Sequence, residues 1–115
     1  MPASTLGFFN SARGVWVARS VEKADTFRAR LVGLLGRKGL AEDAGLWIVP
    51  CSSVHSFFMA FVIDVVFLDR GFKVLAVCRL PPWRMSPWVP GAHSVLELPV
   101  GASARLAPGE TLEIR

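Results

Sequence analysis

Apolar and polar residues alternate along most of this chain with a period close to two. Leu6 to Phe9 and Val15 to Val21 open the pattern as strands. In the second, Val15, Val17 and Arg19 point one way and Trp16, Ala18 and Ser20 the other. Leu46 to Val49 is a third strand, ended by Pro50. Ser56 to Met59 and Val62 to Leu68 follow as strands separated by a bend or bulge. They share the longest apolar run, Phe57 to Leu68, which only Asp64 interrupts. That run is too short to span a bilayer and is rich in aromatic and β-branched residues, so it reads as buried strand. Asp69-Arg70-Gly71 is turn chemistry and Lys73 to Leu80 is the return strand, which makes this pair the best hairpin signal in the chain. Pro81 to Gly91 is a loop holding four prolines. Ser94 to Leu98 and Thr111 to Ile114 are the last strands, with a short helical turn at Ala102 to Leu106 and a turn at Pro108-Gly109 between them.

One segment changes period. Phe27, Leu31, Leu34 and Leu35 recur at helical spacing, with arginines on the other faces. Asp25 or Thr26 can cap its start, and Gly36 and Gly39 mark its end. Gly33 inside it lets another backbone approach closely. The expected fold is therefore mainly β (α+β): a compact antiparallel β-sandwich or small barrel with one principal α-helix, about residues 25–36. The whole of 1–115 reads as a single domain, with 1–5 a loose terminus.

Composition agrees with a packed core. Hydrophobic residues make up 52% and charged residues 19% of the 115, which argues against disorder. The net charge is +4, but the arginines are scattered, so a solvated surface is expected and neither a nucleic-acid nor an anionic-membrane footprint is. Two cysteines make no disulfide framework, which suits a reducing compartment. No signal peptide is visible, and a cytoplasmic location is the expectation.

Several landmarks carry a resemblance. Arg30-Leu31-Val32-Gly33-Leu34 is followed by Arg37, Leu40 and Gly45-Leu46-Trp47, then by Cys51 and the run from His55 to Asp69. Pro82-Trp83-Arg84, Val95 to Gly101 and Pro108-Gly109-Glu110 complete the set. In order and spacing the chain resembles the bacterial and archaeal family named domain of unknown function 192, from about Val15 to Ile114. The resemblance implies a compact β-rich fold with one prominent helix, and it implies no activity and no cofactor. Where the family commonly reads Met-Arg-Phe-Pro-Ile-Asp, this chain has Met59-Ala60-Phe61-Val62-Ile63-Asp64, without the basic residue and the proline. Many relatives begin with a secretory leader, and this chain shows none.

Candidate chemistry is sparse. Cys51, His55 and Asp64 offer metal-ligand or nucleophile–base types. On an unbroken strand, however, His55 and Asp64 face opposite ways, and only a bend near Ala60 would unite them. With two Cys and two His in the chain, a closed zinc site is not expected. Asp64 stands among Phe, Val and Ile and needs a partner, for which Arg30, Arg37 and Arg84 are the candidates. His93 and Glu97, about 13 Å apart on one strand face, read as exposed or capping residues. Trp83, Arg84, Met85 and Trp88 in the proline-stiffened loop are what a recognition surface uses, or else fold back as a lid. The reading that follows is a small non-enzymatic ligand-binding or accessory module. Its site would comprise His55, Asp64, Arg30, Arg37, Trp83, Arg84 and Trp88, with a small molecule or protein as partner. A small metal-assisted or acid–base enzyme using His55 and Asp64 is one alternative, and a protein-interaction domain docking through Trp83 to Trp88 is the other. The chain is expected to be a monomer with no membrane span.

Overall fold

The structure is a computed structural model that describes residues 5–25, 37–57 and 59–115. Seven strands run along the described residues: β1 (Thr5–Asn10), β2 (Val15–Ala24), β3 (Ala44–Ile48), β4 (Ile63–Leu68), β5 (Val74–Leu80), β6 (Ser94–Pro99) and β7 (Leu112–Ile114). A short 3-10 helix at Ala102–Arg105 stands where the sequence predicts a helical turn. The predicted helix over 25–36 lies, Asp25 apart, outside the described residues. Among the described residues no helix is long and apolar enough to cross a membrane.

All seven strands join one sheet in the order β5-β4-β6-β3-β2-β1-β7. The mainly β expectation holds; of its two forms, an antiparallel sandwich or a small barrel, the sheet is not two packed layers but a single sheet curled into a half-barrel. Its two outer strands meet at one end. Val74 N–H donates to the Glu110 carbonyl at 2.8 Å, and Leu112 N–H donates to Phe72 at 2.9 Å. Lys73 and Thr111 form a bridge between them. Such linking hides part of the sheet edges, which are otherwise open to pairing with other chains.

Three further expectations change. First, β2 and β3 pair in parallel, Ser20 beside Ala44 through to Ala24 beside Ile48. The 19 residues between the two strands, 25–43, are length enough for the crossover that a parallel pair requires. Second, β2 does not alternate as predicted, because its register against β1 shifts twice, between Leu6 and Phe8 and between Phe8 and Phe9. Val17 and Ala18 are consequently both buried. Third, Ser56, Phe57 and Met59, the described residues of the expected Ser56 to Met59 strand, do not lie in a strand. The Ser56 backbone is taken up by the 81–86 loop: Ser56 N–H donates to Arg84 and Trp83 N–H donates to Ser56.

β4 is buried at every position, which only a strand covered on both faces allows. Val66 and Leu68 join an inner cluster with Phe8, Val21, Trp47 and Leu96. Ile63, Val65 and Phe67 point the other way, with Leu46, Ile48 and Val95. Met59, Phe61, Val54 and Val89 pack on this second cluster, so residues 51–61 and 81–92 form an outer layer over the sheet.

Gly7 sits where the C-terminus closes on β1. Its N–H and C=O exchange hydrogen bonds with Arg115 at 3.0 and 2.8 Å. A Cβ there would stand 2.6 Å from the Trp16 ring and 2.9 Å from the Arg115 carbonyl oxygen. Gly7→Ala is expected to cost about 1–3 kcal/mol, the usual cost of overpacking. A urea midpoint equal to wild type would contradict this.

Candidate functional site

Asp64 is the one acidic residue of β4, and alternation places it on the inner face with Val66 and Leu68. It is 1% exposed. Its Oδ1 accepts from Arg79 Nε at 3.1 Å, and its Oδ2 accepts from the backbone N–H groups of Gly101 at 2.9 Å and Ser103 at 3.1 Å. Burial is the largest single influence on its pKa and pushes it up. Hydrogen bonds from Ser103, Arg79 and Gly101 together outweigh burial and hold the carboxyl below its usual value. The cation is thus Arg79, not one of the three arginines expected from the sequence. Arg79 lies directly across from Asp64 in the β4–β5 register. Arg37 instead reaches Glu22 at 2.9 Å, Arg30 lies outside the described residues, and Arg84 lies in the outer layer. Asp64 acts as an internal clasp that fixes the turn leading into the 3-10 helix.

The outer layer contains the exposed candidates. Residues 52–56 and 83–89 run beside each other as a short ribbon. His55 and Met85 form a bridge, Ser86 N–H donates to Val54 at 2.8 Å, and Val89 N–H donates to Ser52 at 3.2 Å. Two buried serines reinforce it. Ser56 Oγ accepts from Arg84 N–H at 2.9 Å, and Ser86 Oγ accepts from Val54 N–H at 2.8 Å. With its polar groups turned inward, the ribbon turns large side chains outward. Trp83 is 54% exposed, Met85 68% and Trp88 68%. The His55 and Phe57 rings stack at 5.0 Å, and Phe57 lies 6.1 Å from the Trp83 ring. Trp83 has a φ of 64°, in the left-handed region that bulky residues rarely adopt. Strained backbone of this kind clusters at binding sites. Of the residues expected to form a site, His55, Trp83, Arg84 and Trp88 therefore come together, and Asp64 does not join them. The expected lid of folded-back Trp rings is not what the exposures describe.

Cys51 Sγ donates to the Ser53 carbonyl at 3.0 Å. Burial, followed by the nearby Asp64 charge, raises the Cys78 thiol pKa. Among the described residues no group of three His, Cys, Asp or Glu is placed to hold a metal. An open groove lies elsewhere, lined by Gly14, Trp16, Arg19, Glu42, Asp43 and Arg105. Its charges pair across it, Arg105 with Glu42 at 3.4 Å and Arg19 with Asp43 at 3.9 Å.

Glu97 is the residue that strand alternation alone misplaces. It is 3% exposed, not a surface or capping residue. It lies in the middle of the sheet, opposite Leu46 on one side and Val65 on the other, with Glu22 one strand further along. Burial pushes its carboxyl up to about 7, and the positive charge of Arg37 pulls it back in part. The signal for it in the sequence is the apolar setting of Val95-Leu96-Glu97-Leu98, which matches that of Asp64.

The family model of domain of unknown function 192, described as "Uncharacterized ACR", matches residues 9–114. A UPF0127 protein of Pyrococcus horikoshii is 34% identical over 106 residues, covering 86% of this chain and 89% of that protein. A UPF0127 protein of Thermococcus sibiricus is 39% identical over 98 residues, 80% of this chain and 62% of its own length. The crystal structure of a protein of unknown function from Novosphingobium aromaticivorans superposes with a TM-score of 0.80 at 20% identity, over 95% of this chain and 83% of that one. That last likeness is one of fold.

Proposed function

This chain belongs to the domain of unknown function 192 family, whose members carry no assigned activity, and we propose that it is a non-enzymatic accessory module that docks on a larger partner through its outer ribbon. The observation that carries the reading is the exposure of Trp83, Met85 and Trp88, at 54%, 68% and 68%, on a backbone pinned by Ser56 and Ser86. Rigid presentation of large apolar side chains lowers the entropy lost on binding. Trp and Arg are the residues that most often dominate binding energy. A small-molecule site needs a concave pocket that buries most of its ligand, and side chains this exposed form a ridge instead. The site on this reading is His55, Phe57, Trp83, Arg84, Met85 and Trp88, carried by one monomer. The separation of His55 from the buried Asp64 favours it over acid–base catalysis.

The test is a photo-crosslinking amino acid at position 85 in the full chain, irradiated in extract and in intact cells. A discrete adduct that disappears when Trp88 is also replaced by Ser supports docking at the ribbon. Labelling no greater than from a probe at exposed Val100 overturns it.

A further inference from the structure

We propose that the partner surface is an anionic lipid bilayer, an inference that rests on the docking reading above. Charge is the first argument. From Ala44 to Ile63 and from Arg70 to Leu96 the sequence has no Asp and no Glu, so both halves of the ribbon are free of carboxylates. Exposed Arg84 stands between Trp83 and Met85, and the whole chain carries a net charge of +4. A guanidinium among apolar side chains suits a phosphate headgroup, which it meets with two parallel hydrogen bonds.

Hydrogen bonding is the second argument. The polar groups the ribbon turns outward are few and mostly donors: the Arg84 guanidinium, the indole N–H groups of Trp83 and Trp88, His55 and the Ser53 hydroxyl. The ribbon holds no Asn, Gln, Asp or Glu, and Ser56 and Ser86 are buried on backbone partners. Specific protein–protein interfaces carry about ten direct hydrogen bonds. A lipid interface asks for none. Entry into a poorly hydrated region does require that backbone groups already be satisfied. Here Val54, Ser56, Trp83, Arg84, Ser86 and Val89 all donate within the layer. Pro81, Pro82, Pro87 and Pro90 have no N–H to satisfy. The third argument is side-chain type. Trp places an apolar ring beside a polar N–H and settles at the headgroup level of a bilayer, and Met85 and Phe57 add apolar surface beside it.

Co-sedimentation of the full chain with vesicles tests this. One set is phosphatidylcholine alone and the other is phosphatidylcholine mixed with phosphatidylglycerol. Wild type is expected to pellet with the mixed vesicles, to do so less as salt rises, and to shift its Trp emission to the blue. Trp88→Ser with Met85→Ser is expected to lower the partition by roughly tenfold or more, and Arg84→Gln by several-fold. Trp83→Asn keeps a residue that tolerates positive φ and is expected to act like Trp88→Ser. Each variant is expected to melt at the wild-type temperature, since all four side chains are exposed, and binding is compared well below it. Absence of pelleting with mixed vesicles, or pelleting unaffected by these substitutions, overturns the inference. If the probe at position 85 gives a discrete protein adduct while vesicles fail, the lipid assignment falls and the docking reading stands. Failure of both experiments removes both.

Discussion

Asp64→Ala is expected to destabilise the fold by about 1–3 kcal/mol, the usual cost of taking the acceptor from hydrogen-bond donors held inside a fold. The carboxylate is 1% exposed and accepts from two backbone N–H groups, those of Gly101 and Ser103. Alanine takes the acceptor from both donors, of which Ser103 is half-buried and Gly101 is exposed and can turn to water, so the cost falls mainly on Ser103. The Arg79 side chain is 59% exposed and rehydrates when released, so Arg79→Ala is expected to cost well under half as much. Asp64→Asn retains one acceptor oxygen but aims an NH2 group at a donor, and it should fall between the two. Because the folded carboxyl titrates below its usual value of 3.8, the stability it contributes is present above that pH. This contribution is lost as pH falls through the folded value. The gap between wild type and Asp64→Asn in urea unfolding should therefore be wide at pH 7 and shrink below about pH 4. An Asp64→Ala variant that unfolds at the wild-type midpoint at neutral pH would show that the clasp carries no load.

The hairpin that holds Asp64 is legible in the sequence, but its partner is not. Counting outward from the Asp69-Arg70-Gly71 turn sets Asp64 across from Ala76, whereas the strands pair Leu68 with Val74 and shift register again between Phe67 and Leu68, which brings Arg79 opposite Asp64. Arg30, Arg37 and Arg84, the cations that the apolar setting of Asp64 brings to mind, all lie outside that hairpin. Local chemistry also locates β1, β3, β6, the 3-10 turn and the proline-stiffened loop with its exposed tryptophans. What local pattern cannot hold is pairing between distant segments. The parallel β2–β3 pair depends on a crossover that returns to the same sheet, and alternation looks the same in either direction. Ser56 to Met59 has the composition of a strand, yet its hydrogen bonds go to a loop some 25 residues on, Ser56 Oγ donating to the Pro81 carbonyl. Burial of Glu97 has the same origin, because its sheet face is covered by segments distant in sequence, with Leu40, Val54, Met59, Phe61 and Val89 among the side chains packed there.

That buried face leads to the second large effect, of opposite sign. Glu97→Gln is expected to leave stability little changed at pH 4 and to raise it at pH 8 by up to about 3 kcal/mol. The folded carboxyl titrates at about 7, against 4.5 for an ordinary glutamate. Below the unfolded value both states are protonated and the wild type carries no electrostatic cost. As pH rises through that window the unfolded chain ionises first, and the folded state falls behind by about 1.4 kcal/mol for each pH unit. Above the folded value the cost is complete and constant. Glutamine keeps the shape and never ionises, while Arg37 retains Glu22 at 2.9 Å. Urea midpoints of both proteins, taken from pH 4 to pH 8, should coincide at the acid end and separate as the pH rises. Parallel curves would mean that Glu97 is as easily ionised inside the fold as outside it. Asp64 adds stability as pH rises toward its usual value of 3.8, and Glu97 removes stability as pH rises from 4.5 to about 7. The two slopes oppose each other, and the wild type should be most stable in the mildly acidic interval between them.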